Sequence, residues 1–129
     1  MTNTVLAGQT LTDGLLGIPV WTPMSLTGGW SNAGSSYVTA QYRLWELINE
    51  VEIIGRIGGG TISAGTIIAT LPYTPASVQE LPLLSASGAT ADQAYSPLIN
   101  VLTTGALQIY NVPTGTTVIA FHDWISLDA

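Results

Sequence analysis

The chain has 129 residues, no cysteine, and two basic residues against eight acidic ones, for a net charge of −6. This excludes disulfides and thiolate metal sites, and it argues against nucleic acid and anionic membranes, which need clustered cations to displace counterions. Charged residues make up 8% of the chain and apolar ones 47%, yet no apolar run nears the ~20 residues of a membrane span.

A mean hydropathy of +0.41 with so little charge predicts that part of the surface is covered by copies of the chain or by a large partner. A homo-oligomer is therefore expected. Residues 1–17 scatter Leu6, Leu11, Leu15 and Leu16 between Gly8, Gly14 and Gly17. They have no basic start and no apolar stretch of signal-peptide type. This segment reads as an arm with apolar anchors and no core of its own, a docking element for a neighbouring protein, and residues 18–129 read as one domain.

Residues 20–26 predict a first strand that Pro23 confines to an edge or a bulge. Turn-forming residues follow around Trp30. Residues 37–44 alternate, with Val38, Ala40 and Tyr42 on one face and Tyr37, Thr39, Gln41 and Arg43 on the other.

Leu44, Leu47, Ile48, Val51 and Ile54 fall at helical spacing, but the flanks favour a strand, a turn at Asn49-Glu50, and a second strand. There Val51, Ile53 and Ile57 alternate with Glu52 and Arg56, which predicts one wet face. Gly58-Gly-Gly60 stops that strand, and a β-branched run over 66–71 ends at Pro72.

Four more strands are expected over 78–85, 96–102, 106–112 and 117–127, separated by turn signals such as Thr104-Gly105 and Pro113-Thr-Gly115. Short strands at this regular spacing predict an all-β fold, a single antiparallel β-sandwich of jelly-roll-like type.

Several spaced motifs carry a likeness. They are Trp21-Thr-Pro, Gly29-Trp30-Ser-Asn, Ala40-Gln-Tyr-Arg43, Val51-x-Ile53-x-Gly55-x-Ile57, Gly60-Thr-Ile, Gly65-Thr-Ile, Leu71-Pro-x-x-x-Pro75 and the closing Trp124-Ile-Ser-Leu127. Together, over residues 19–127, they resemble a module common in bacteriophages of Gram-positive, especially actinobacterial, hosts. Its members are C-terminal domains of tail fibres and minor tail proteins, and related small virion surface proteins. The resemblance implies a homotrimeric β-sandwich that binds surfaces and catalyses nothing.

Family members usually follow a stalk or anchoring domain, whereas about twenty residues precede Trp21 here. The leading expectation is therefore a module that decorates or cements a capsid exterior, docking on the major capsid protein or another virion protein through Leu6, Leu11, Leu15 and Leu16. The alternative is a tail-fibre tip recognising a host cell-wall saccharide, with Trp30 and Trp45 as contacts, because flat aromatic rings stack on sugars.

No residue is expected to be catalytic, to hold a cofactor or to ligate a metal. His122 and Asp123 are neighbours on a strand and point to opposite faces. Glu50 and Glu52 share a face at a separation that glycosidase carboxylates use, but an ordinary wet strand face explains them as well. Gly58-Gly-Gly60 lacks the lysine a phosphate loop needs, and no acidic spacing involving Asp92, Asp123 or Asp128 matches a calcium loop.

Overall fold

The structure, a computed structural model, describes residues 18–88 and 97–128. The predicted arm over 1–17, with its four leucines, lies outside the described residues, as does Asp92. Ten strands are present: β1 (Thr22–Pro23), β2 (Ser31–Asn32), β3 (Gln41–Trp45), β4 (Glu50–Gly58), β5 (Ile67–Thr70), β6 (Gln79–Pro82), β7 (Ser85–Ser87), β8 (Leu98–Val101), β9 (Ala106–Asn111) and β10 (Val118–Ser126). No helix occurs among the described residues.

The strands form two antiparallel sheets. The first has the order β1-β3-β4-β10-β7, with β2 also on β4, and the second runs β5-β9-β8-β6. The pairs β4–β10, β5–β9 and β6–β8 are nested in sequence, the folded-ribbon arrangement of a jelly-roll-like sandwich. β7 leaves that nesting to join the first sheet beside β10.

Inward-facing side chains alternate along each strand and meet between the sheets. From the first sheet come Val51, Ile53 and Ile57 of β4 with Ile119, Phe121 and Ile125 of β10. The second supplies Leu81, Ile99, Val101, Leu107 and Ile109, all buried. Gln79 fastens the sheets at one edge: its side-chain nitrogen donates to the Ser126 carbonyl (2.6 Å), and its oxygen accepts from the Ser126 N–H (3.1 Å).

Two expectations are corrected in detail. The hairpin between β3 and β4 turns over residues 46–49 rather than at Asn49-Glu50. Ile48 and Asn49 donate to the Trp45 and Glu46 carbonyls, and Asn49 takes a left-handed φ of 52°, which asparagine tolerates better than most residues. The helical spacing of Leu44, Leu47 and Ile48 is the signature of this single tight turn. The strand expected over 78–85 is two strands, because the chain crosses at Leu83 and Leu84 from one sheet to the other.

Candidate functional site

The turn position decides which side chains meet. With residues 46–49 in the loop, Arg43 stands opposite Glu52 on β4, and Glu52 stands opposite Trp124 on β10. Directly opposed residues share a face, so these form one row across the outer face of the first sheet. Trp21, just before β1, extends it: the Arg43 guanidinium lies 4.0 Å from the centre of the Trp21 ring and 4.9 Å from that of Trp45.

Glu52 is the hub of this row. Its Oε1 accepts from Arg43 Nε at 2.8 Å and from Trp45 Nε1 at 2.9 Å, and its Oε2 lies 2.6 Å from His122 Nε2. The surrounding side chains leave the Glu52 side chain only 6% exposed. The wet face expected at this position is therefore closed over, because aromatic and cationic neighbours on β3 and β10 cover the carboxylate. Arg43 neutralises it.

Burial on its own would raise the Glu52 pKa. Hydrogen bonds from His122, Arg43 and Trp45, with the charge of Arg43, outweigh it and hold the carboxyl below its ordinary 4.5. An ionised Glu52 is an acceptor only, so His122 Nε2 acts as the donor of this contact. Of the Glu50–Glu52 pair considered for glycoside chemistry, Glu52 is ionised and held by these donors, a poor starting point for a general acid.

Trp45 and Trp124 pack with ring centres 5.8 Å apart at 44°. Trp45 is half-buried and Trp124 is 44% exposed, so together they present a tilted aromatic surface beside the polar hub. Trp45 is where the sequence placed a saccharide contact. Trp30 is not on a surface: it is 4% exposed and belongs to the core. Its ring lies against Gly60, where an added Cβ would sit 2.1 Å from a ring carbon. Glycine at position 60 makes room for the indole, so Trp30 is a packing residue here.

Trp21 and Trp124, the row's two outer members, were not singled out individually from sequence. The available signal was the pairing of Arg43 with Glu52, which a correctly placed turn would have supplied. His122 and Asp123 do point to opposite faces. Asp123 faces inward with Oδ2 buried and without a hydrogen-bond partner, and burial, partly offset by the His122 charge, pushes its pKa from 3.8 to about 6. No group of three or more acids and histidines able to hold a metal ion occurs among the described residues.

No protein-family model matches the chain, and no curated protein matches it. Among solved structures it is similar to the receptor binding protein (gp15) of Listeria phage PSA, with a TM-score of 0.57 and 15% identity over 83% of this chain and 65% of that one. The chain thus spans just under two thirds of that protein's length. At this identity the likeness is one of fold: the two proteins share a β-sandwich.

Proposed function

We propose that the chain is a non-enzymatic surface module of a bacteriophage virion that binds a host saccharide through the outer face of its first sheet. The observation that carries this reading is the Trp45–Trp124 surface beside Glu52, Arg43 and His122. It combines an apolar face for a sugar ring with polar groups fixed in advance by their own hydrogen bonds. The shared fold with a phage receptor binding protein supports the same reading, as do the motifs that resemble phage tail modules. A homotrimer is the assembly this reading favours, since the chain carries little charge.

The test is binding of the purified chain to cell-wall saccharide fragments, wild type against Trp124→Ala. Because Trp124 is partly exposed and outside the core, the variant should fold normally and bind at least tenfold more weakly, equivalent to about 1.4 kcal/mol. Unchanged affinity in a folded variant would remove Trp124 from the site.

A second reading, decoration of the capsid exterior, rests on the apolar residues Leu6, Leu11, Leu15 and Leu16 and on the scarcity of charge. It predicts hundreds of copies per particle, whereas a tail tip predicts a handful. Quantitative mass spectrometry against the major capsid protein separates the two.

A further inference from the structure

Arg43 and Arg56 are the chain's only basic residues besides His122, and the fold uses them differently. Arg43 is paired with Glu52. Arg56 makes no ion pair among the described residues. Its guanidinium lies instead 4.4 Å from the centre of the Tyr37 ring, and that ring is 50% exposed. Arg56 Nε is buried without a hydrogen-bond partner, so among the described residues packing holds this cation in place and no carboxylate does.

The surroundings keep its charge uncancelled. Arg56 shares the outer face with Glu52, four residues along β4, about 13 Å at the usual rise of a strand. Ala120 stands opposite it on β10, and Ser85 beyond that on β7, so the flanking floor is small and uncharged. The rows on either side, Gln41–Ile54–His122 and Gly58–Val118–Ser87, hold no acid. Among the described residues, the nearest carboxylate on this face of the sheet is Glu52, which Arg43 already neutralises.

We propose that Arg56, backed by Tyr37, is an anion subsite, and that the ligand of this face is a saccharide bearing a carboxylate or phosphate group. This rests on the saccharide reading above and sharpens it. Sugar rings lie on Trp45 and Trp124, the chain passes His122 along β4 and β10, and its acidic group reaches the Arg56 guanidinium. A guanidinium suits either anion, since its planar fork matches two acceptor oxygens at once. The overall negative charge does not oppose this at ordinary ionic strength, where exposed charges beyond about 8 Å are largely screened.

The test is titration of the full chain with three matched linear oligosaccharides: one neutral, one carrying a single glucuronate and one carrying a single phosphate ester. At least one acidic ligand should bind tenfold or more tightly than the neutral one. Its affinity should fall with added salt while that of the neutral ligand stays flat. Arg56→Gln should erase the preference and leave neutral binding within twofold. The two acidic ligands show which anion the site takes. Binding with no acidic preference, or a preference that survives in Arg56→Gln, overturns this inference and leaves the saccharide reading standing. Absence of binding by all three overturns both. The salt titration of the wild type tests the acidic preference itself independently of how the variant folds, since a preference insensitive to salt overturns the anion subsite.

Discussion

Glu52→Gln tests the outer row directly. The substitution keeps the shape and one acceptor oxygen but removes the charge that Arg43 faces, and it turns an amide N–H₂ toward the His122 nitrogen that donates to Glu52. Removing one member of a fully buried ion pair costs about 3–5 kcal/mol. The Arg43 side chain is 18% exposed, so water recovers part of that and about 2–3 kcal/mol is expected. For a domain of this size the loss corresponds to roughly 6–15 °C in Tm.

The pH dependence is the sharper part of the test. The folded Glu52 carboxyl titrates below its ordinary 4.5, so its stabilisation is fully present above that value and is lost as pH falls through the folded one. Urea unfolding of both proteins from pH 7 to pH 3 should show a wide gap at neutrality that closes in acid. A gap under about 0.5 kcal/mol at pH 7, or one unchanged at pH 3, would refute the hub, since surface substitutions away from such features stay within that range.

Two other substitutions probe the interior. Asp123 behaves oppositely to Glu52: its folded pKa of about 6 exceeds the ordinary 3.8, so it destabilises the fold increasingly as pH rises from about 4 to 6. The full displacement converts to about 3 kcal/mol, and roughly half survives solvent screening of a half-exposed group. Asp123→Asn should therefore stabilise the protein by about 1–2 kcal/mol at pH 7 and by little below pH 4; a loss of stability in urea melts at pH 7 would contradict this. Gly60→Ala places a methyl carbon 2.1 Å from the Trp30 ring, so the indole must move. A cost of about 1–3 kcal/mol is expected, with red-shifted tryptophan emission, and an unchanged urea midpoint would count against the packing role.

The sandwich was legible because its signals are local. Alternation at Val51, Ile53 and Ile57, proline stops and glycine turns each depend on a few neighbouring residues. They placed the long strands within a residue or two. The candidate site was not legible in this way, because it depends on register. A turn at Asn49-Glu50 would set Arg43 opposite Arg56, whereas the turn over 46–49 sets it opposite Glu52. A two-residue shift of the turn, four residues in register, thus exchanges a like-charge pair for an ion pair, and alternation alone does not distinguish them, since both registers keep the same faces in and out. Trp30 was misread for a related reason: an indole's aptitude for sugars and its aptitude for a core look alike until Gly60 is seen beneath it.

The energetics of the outer row favour a positioning role over a stabilising one. A buried ion pair contributes little net stability compared with well-packed apolar side chains of the same size, because both charges must first leave water. An outer sheet face has a simpler alternative in exposed threonines and lysines. Instead, Glu52 fixes the Trp45 indole by its N–H, the His122 ring by Nε2 and the Arg43 guanidinium by Nε, while Arg43 in turn lies against Trp21 and Trp45. Each of these long side chains would otherwise sample several rotamers, and ordering them at the moment of binding would reduce affinity. One carboxylate held by donors on two strands and capped by Trp124 from β10 orders the whole surface before a ligand arrives. That is the property expected of a recognition face.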